Sequence, residues 1–100
     1  MSVTFQHSAD ELQLTITIKG RFDFSKHQAF RSAYETGPKA KHFVVDLKDT
    51  TYIDSSALGM LLLLRDHAGG EKADVQLKNC IPDVNKILTI SNFSKLFRIV

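Results

Sequence analysis

The sequence lacks the features that mark several large classes of protein. Cys80 is the only cysteine, so no internal disulfide can form, as is usual in a reducing compartment. The longest apolar run, Met60 to Leu64, is far too short to span a bilayer. The amino-terminal residues contain no apolar segment of the secretory type. These absences predict a cytoplasmic protein without disulfides and without a membrane span.

Charge and ligand-forming clusters are also sparse. The net charge is +2, and the 13 basic residues are scattered, so neither nucleic acid nor a membrane surface is expected as a partner. The single cysteine and the histidines show no spacing typical of a metal site. No glycine-rich phosphate loop precedes a helix. We therefore predict no metal site and no cofactor.

The pattern of apolar residues predicts alternating strands and helices in one domain, residues 1–100. Apolar and polar residues alternate over Leu12–Lys19, as in a half-buried strand. Ser25 to Gln28 has the spacing of a capping box, which predicts a helix from about Lys26 to Thr36. Gly37 followed by Pro38 predicts the end of that helix.

The second half of the chain continues this alternation. Phe43–Leu47 is typical of a short buried strand, and Asp54 or Ser55 is predicted to cap a helix that runs to about His67. The remaining predicted elements are a strand around Val75 and Leu77, a short helix that begins at Pro82, and a strand over Phe97–Val100. The expected fold is therefore α/β, a sheet with helices packed on it.

Two serines mark the most informative segment. Ser55 and Ser56 stand at the first turn of a predicted helix, where backbone N–H groups are unpaired and the helix dipole is positive. A phosphate on a hydroxyl at this point would be stabilised by the helix end. The plainer interpretation is that both serines only cap the helix, because serine is common there.

The helix that follows carries more apolar residues than a single buried stripe requires. The stripe expected to face the core consists of Leu58, Leu61 and Leu62. A second stripe, expected to be exposed beside Ser56 as a docking face, consists of Ala57, Met60 and Leu64. The alternative is that a neighbouring helix, such as that near Val84 to Leu88, covers the second stripe.

Three segments together resemble a known family. Asp54–Gly59, with the sequence Asp-Ser-Ser-Ala-Leu-Gly, resembles the Asp-Ser-Ser-Gly-Leu-Gly signature of the anti-sigma factor antagonists, which are STAS domains. Gly20–Asp23 resembles the Gly-Glu-Leu-Asp turn of the family, and Ser91–Ile99 resembles its late helix-to-strand segment. The resemblance implies the STAS fold, a mixed four- or five-stranded sheet with helices mainly on one face. Ala57 departs from the usual glycine and removes some backbone freedom.

The resemblance also implies a mechanism of partner switching. The unphosphorylated domain binds a partner, which is an anti-sigma factor that is itself a serine kinase, or a response regulator that carries a kinase domain. Phosphorylation of Ser56 abolishes binding, and a PP2C-type serine phosphatase reverses it. Asp23, Asp54 and Ser55 are expected near the phosphorylation site. The residues expected to contact the partner are Ser25, His27, Ala57, Met60 and Leu64. The chain itself is not expected to be an enzyme.

Two rival functions remain at the level of the sequence. A serine hydrolase would need a Gly-x-Ser-x-Gly elbow, and Asp54 stands where its first glycine would be, so this class is disfavoured. A STAS module that serves as a scaffold or as a subunit of a transport machine would need no phosphoserine. The Asp54-Ser55-Ser56 motif favours the switch over the scaffold.

Overall fold

Seven strands and three helices make up the part of the chain that the computed structural model describes, residues 2–37 and 39–100. The strands are β1 (Val3–His7), β2 (Gln13–Ile18), β3 (Gly20–Phe22), β4 (His42–Asp46), β5 (Thr50–Ile53), β6 (Val75–Lys78) and β7 (Arg98–Ile99). The helices are α1 (His27–Glu35), α2 (Ser55–Ala68) and α3 (Pro82–Ile90). The predicted helix end at Pro38 falls outside the described residues.

Five strands form the main sheet, in the order β1-β2-β4-β6-β7. β1 pairs with β2 antiparallel, and the other neighbours pair parallel. Parallel neighbours need a crossover, and α1 lies between β2 and β4 in the chain as α2 lies between β4 and β6. The main sheet is therefore mixed and five-stranded, as the prediction of a mixed four- or five-stranded sheet allows.

The two faces of this sheet differ in chemistry because side chains alternate along each strand. Leu14 and Ile16 of β2 pair with Phe43 and Val45 of β4, and all of them belong to the same buried cluster. The helices add residues such as Phe30 to that cluster, so they cover this face. The opposite face carries partly exposed polar side chains such as Thr15 and Thr17 of β2, together with the buried Val44 of β4.

A second sheet of two strands was not predicted. β3 and β5 pair parallel, with Arg21 opposite Tyr52 and Phe22 opposite Ile53. The buried Thr50 hydroxyl donates a hydrogen bond of 2.8 Å to the carbonyl of Ile18, which anchors β5 to the end of β2. Strands this short show too few alternations for a pattern of period two to reveal them.

The predicted capping box at Ser25 and Gln28 is wrong. Asp23 is the capping residue, and its carboxylate accepts a hydrogen bond of 3.0 Å from the Ser25 N–H. A 3-10 turn, Phe24–Lys26, follows and leads into α1 without a side-chain cap of its own. The predicted extent of the helix is otherwise close to the observed His27–Glu35.

Candidate functional site

The site lies where β3 and β5 end side by side. Each strand is followed by an aspartate in extended backbone, Asp23 with φ −132° and ψ −171°, and Asp54 with φ −126° and ψ −174°. Each aspartate caps the helical turn after it, so both turns begin at the same edge of the small sheet. This juxtaposition brings Asp23 and Asp54 to one region of the surface, as the sequence motif predicts.

Asp54 starts α2 in the ordinary way. Its carboxylate accepts a hydrogen bond of 3.1 Å from the N–H of Ala57, and its carbonyl accepts one of 3.2 Å from the N–H of Leu58. Ser55 and Ser56 are therefore the first two helical residues, and their N–H groups have no partner within the helix. An anion on either side chain would meet these donors and the positive end of the helix dipole.

The two serines at the start of α2 are not buried. Ser55 is exposed and Ser56 is partly exposed. Within residues 2–37 and 39–100, no hydrogen bond occupies the Ser56 hydroxyl, since the Asp54 carboxylate bonds to the backbone N–H of Ala57. The Ser56 side chain is thus partly exposed, and its hydroxyl has no hydrogen-bond partner among the described residues.

The predicted docking stripe of Ala57, Met60 and Leu64 is wrong. All three residues are buried in the core, together with Leu61, which was expected there. Of the other two residues expected in the core, Leu58 is partly buried and packs against it, whereas Leu62 is 39% exposed. Because α2 is apolar on most of its circumference, the pattern of residues alone does not show which side its neighbours cover.

The exposed side of α2 forms a different apolar surface. Leu63 is 50% exposed, and it lies one and two turns beyond Gly59 and Ser56 on the same side of the helix. Gly59 is exposed, and the space where a Cβ would stand is open. We call this surface the outer face of α2. Its members are Ser55, Ser56, Gly59, Leu62 and Leu63.

Polar groups of β3 and the following turn surround Asp23. The Asp23 carboxylate accepts a hydrogen bond of 2.5 Å from the Ser25 hydroxyl and contacts the Arg21 guanidinium at 3.5 Å. The Ser25 hydroxyl contributes most to holding the pKa of Asp23 below its ordinary value of 3.8. Lys26 Nζ lies 3.3 Å from the Ser25 hydroxyl oxygen. The site therefore combines carboxylates with exposed cations.

Two aromatic contacts complete the surroundings. Phe24 stacks on His27 with ring centroids 5.2 Å apart, and the Phe24 side chain is 68% exposed. The Arg21 guanidinium lies 4.2 Å from the centroid of the Tyr52 ring, as in a cation–π contact. Phe22, by contrast, is fully buried.

The predicted site residues fall into two groups. Ser56, Ser55, Asp54 and Asp23 meet at one region, and Ser25 and His27 lie on the turn beside it, where their predicted role in partner binding stays a prediction. Sequence reasoning missed the outer residues Gly59, Leu62 and Leu63, and it did not assign Arg21 or Tyr52. The pairing of β3 with β5 would have indicated that Arg21 and Tyr52 are neighbours. The sequence does not show this pairing, because both strands are too short to give a pattern of period two.

The described residues contain neither a metal cluster nor a membrane-spanning helix. No group of three His, Cys, Asp or Glu side chains in residues 2–37 and 39–100 is placed to hold a metal ion. In the same residues, every helix is too short or too polar to cross a bilayer.

Comparisons with known proteins agree with this fold. A sequence model of the family described as "Mlab, STAS domain" matches residues 5–100. A STAS-domain containing protein of Pseudomonas aeruginosa strain UCBPP-PA14 is 61% identical over 100 residues, with 99% of each chain aligned. Both matches extend over nearly the whole chain.

Solved structures show the same architecture at low sequence identity. The chain matches the anti-sigma factor antagonist SpoIIAA in its unphosphorylated form with a TM-score of 0.73 and 16% identity, over 98% of this chain and 86% of that chain. It matches an anti-sigma factor antagonist from Mycobacterium paratuberculosis with a TM-score of 0.76 and 17% identity, over 98% of this chain and 85% of that chain. The chain belongs to the STAS-domain family, with the fold of the anti-sigma factor antagonists.

Proposed function

We propose that this protein is a partner switch whose state is set by phosphorylation of Ser56. The unphosphorylated form binds an anti-sigma factor or a response regulator with a kinase domain through the outer face of α2. Phosphorylation of Ser56 ends the complex, and a PP2C-type phosphatase restores the binding form. The observation that carries the proposal is an unoccupied, partly exposed hydroxyl at the start of a helix whose exposed side is apolar.

The apolar character of the outer face supports docking by a protein. Leu62 and Leu63 are consecutive residues of α2, and they expose 39% and 50% of their surface. Exposed apolar residues that cluster on a small protein are typical of an interaction site. Gly59 adds a position without a side chain, where a partner can approach the helix backbone closely.

The phosphate acts on this surface through charge and hydration. A phosphoserine carries about 1.5 to 2 negative charges at pH 7. The start of α2 stabilises that charge within the free protein, but a partner that covers Ser56 would have to remove its water. The Asp54 and Asp23 carboxylates nearby add repulsion for any acidic group that the partner brings. The modification therefore favours the free protein over the complex.

The covalent chemistry belongs to the partner enzymes. A kinase transfers the γ-phosphoryl group of ATP to the Ser56 oxygen, a base on the kinase takes the hydroxyl proton, and ADP leaves. The phosphatase hydrolyses the phosphoserine and releases inorganic phosphate. The contribution of this chain is to present the hydroxyl at the end of a rigid helix, where both enzymes can reach it.

Two forms of the protein used as affinity baits test the proposal. Ser56→Ala and Ser56→Asp are immobilised, cell extract with ATP is passed over each, and retained proteins are quantified by mass spectrometry. We expect a kinase-containing or anti-sigma partner on Ser56→Ala and at least tenfold less of it on Ser56→Asp. Ser55→Asp is the control for the added charge, because it places the carboxylate one residue away.

A stable complex that ignores residue 56 would contradict the switch. If Ser56→Ala, Ser56→Asp and the wild type retain the same partner equally, the protein acts as a scaffold or as a subunit of a larger machine. Mass spectrometry of the protein from its native cells supplies the second criterion. The switch requires a phosphate on Ser56 whose occupancy changes with growth conditions.

A further inference from the structure

Arg21 stands next to the segment that carries Ser56, although it is distant in the sequence. β3 and β5 pair parallel with a register shift between Gly20 and Arg21, and this shift places the Cα of Arg21 opposite that of Tyr52. The guanidinium lies 4.2 Å from the centre of the Tyr52 ring, which places the Arg21 side chain on the Tyr52 side of this strand pair. Ser56 lies only four residues after Tyr52 in the chain. Ile53, the last residue of β5, Asp54 and Ser55 separate the two.

The Arg21 side chain is held loosely. Besides its contact with the Tyr52 ring, it makes one long polar contact, Nε to the Asp23 carboxylate at 3.5 Å, and 64% of the side chain is exposed. An exposed ion pair of this kind contributes little to stability. A guanidinium can instead bind a phosphate with two parallel hydrogen bonds, which are shorter and stronger than a single long contact. Arg21 is thus free to change partners at small cost.

The charges around Ser56 explain why a cation is needed. Asp23 and Asp54 cap adjacent turns, so a phosphate on Ser56 would join two carboxylates at the same edge of the small sheet. The nearby cations of the site are Arg21, which contacts Asp23, and Lys26, which contacts Ser25. Of these, only Arg21 lies on the strand that pairs with β5.

We infer that Arg21 is a phosphate-binding residue: it leaves Asp23 and the ring of Tyr52 and binds the phosphate on Ser56. This inference rests on the proposed function and adds a response within the chain itself. The phosphorylated protein then differs from the unphosphorylated protein by more than the added phosphate, because the Tyr52 ring is uncovered and the Asp23 carboxylate loses its cation. Arg21 is a positioning residue in this role and takes no part in phosphoryl transfer.

The test uses the full chain with phosphoserine incorporated at position 56 during synthesis, so it needs no kinase. The second pKa of a phosphoserine is about 6, and ³¹P NMR follows its titration directly. A nearby guanidinium stabilises the dianion and lowers that pKa. We expect Arg21→Gln to raise the phosphate pKa by about 0.5 to 1 unit, less in 1 M NaCl, because salt screens exposed charges.

The matched control is Arg31→Gln, which removes the same charge from another exposed arginine. Arg31 on α1 also contacts a carboxylate, Glu35, at 2.9 Å. Arg31→Gln is expected to leave the phosphate pKa unchanged, and Arg21→Lys is expected to restore part of the shift.

Three results would overturn the inference. The phosphate pKa could be the same in wild type and Arg21→Gln, or both arginine variants could raise it equally, which would indicate net charge alone. A shift confined to Lys26→Gln would assign the phosphate to the turn after β3 instead. These results test only whether Arg21 binds the phosphate, and they do not show whether cells phosphorylate Ser56. If Ser56 is not phosphorylated in cells, the proposed function fails, but the phosphate pKa values measured by NMR still test the role of Arg21.

Discussion

The two strand-to-helix junctions of this protein have the same spacing of residues and different chemistry. Asp23-Phe24-Ser25 follows β3, and Asp54-Ser55-Ser56 follows β5, with almost identical backbone angles at the two aspartates. At the first junction the carboxylate binds the serine two residues on, at both its N–H and its hydroxyl. At the second, the carboxylate binds the N–H three residues on, and the Ser56 hydroxyl is left available.

The difference arises from the type of helix that each aspartate caps. A 3-10 turn begins at Phe24, and its tighter winding brings Ser25 within reach of Asp23. An α-helix of 14 residues begins at Ser55, and its wider turn places the N–H of Ala57 there instead. The same Asp-x-Ser spacing therefore leads to two different hydrogen-bond arrangements, because the winding after the aspartate determines which groups its carboxylate binds.

The two junctions lead to different expectations for which serine carries phosphate in cells. We expect phosphate on Ser56 in wild type and in Ser25→Ala, and complete loss of the phosphorylated species in Ser56→Ala. The physical reason is that Asp23 occupies the hydroxyl of Ser25, whereas that of Ser56 is free. Mass spectrometry of protein purified from native cells measures this. Phosphate on Ser25 at comparable occupancy would show that the junctions are equivalent.

Truncation of leucines on opposite sides of α2 tests which side of the helix is buried in the core. Leu61→Ala is expected to reduce the free energy of unfolding by about 2–5 kcal/mol, because it opens a cavity in the core. Leu63→Ala, the matched control on the same helix, is expected to change it by about 0.5 kcal/mol or less. Urea unfolding followed by circular dichroism measures both. Similar losses for the two variants would contradict the assignment of the outer face.

A polar substitution on the outer face separates binding from folding. Leu63→Ser is expected to weaken partner binding about tenfold or more, because it removes apolar contact beside Ser56, while the unfolding midpoint changes little. Ile90→Ser is the control, because Ile90 is also an exposed aliphatic residue but lies on α3. Titration calorimetry with the partner identified by the bait experiment measures the affinity. Equal weakening by both variants would argue against α2 as the docking surface.

Removal of the Asp54 side chain, which caps α2, tests how much this cap contributes to stability. Asp54→Ala is expected to cost about 1 kcal/mol of unfolding free energy, because the N–H of Ala57 loses its partner and the helix start loses a favourable charge. Asp66→Ala removes the same charge near the other end of α2 and is expected to cost less. Thermal unfolding compares them. A loss for Asp66→Ala as large as that for Asp54→Ala would contradict the capping role.

The smallest expected effect is the pH dependence of the stability that Asp23 contributes as the cap of the turn after β3. The hydrogen bond from the Ser25 hydroxyl lowers the pKa of Asp23 below 3.8 in the folded protein. The carboxylate therefore stabilises the fold above that pH, and its contribution disappears as pH falls through the lower folded pKa. The stability of wild type relative to Asp23→Asn should decline below pH 3.8. A difference that stays constant down to pH 2 would contradict this assignment.

Local patterns were sufficient for most of the fold. The alternation over β2, the apolar run of β4 and the Pro82 start of α3 each depend on neighbours in the sequence, and each element was found where its pattern placed it. The serine motif likewise indicated the start of α2. β3, β5 and the cap at Asp23 escaped prediction because two short strands gain their stability from each other and from the core rather than from a local period.

The amino-acid sequence alone indicated the strands of the main sheet and the three helices in their order, the position of Ser56 at a helix start, and the family to which the chain belongs. Only the tertiary structure decided which side of α2 faces the core. Ala57, Met60 and Leu64 are buried because their side meets the core, while Leu62 and Leu63 face outward. A helix that is apolar around most of its circumference has no preferred face of its own, so packing with its neighbours selects one.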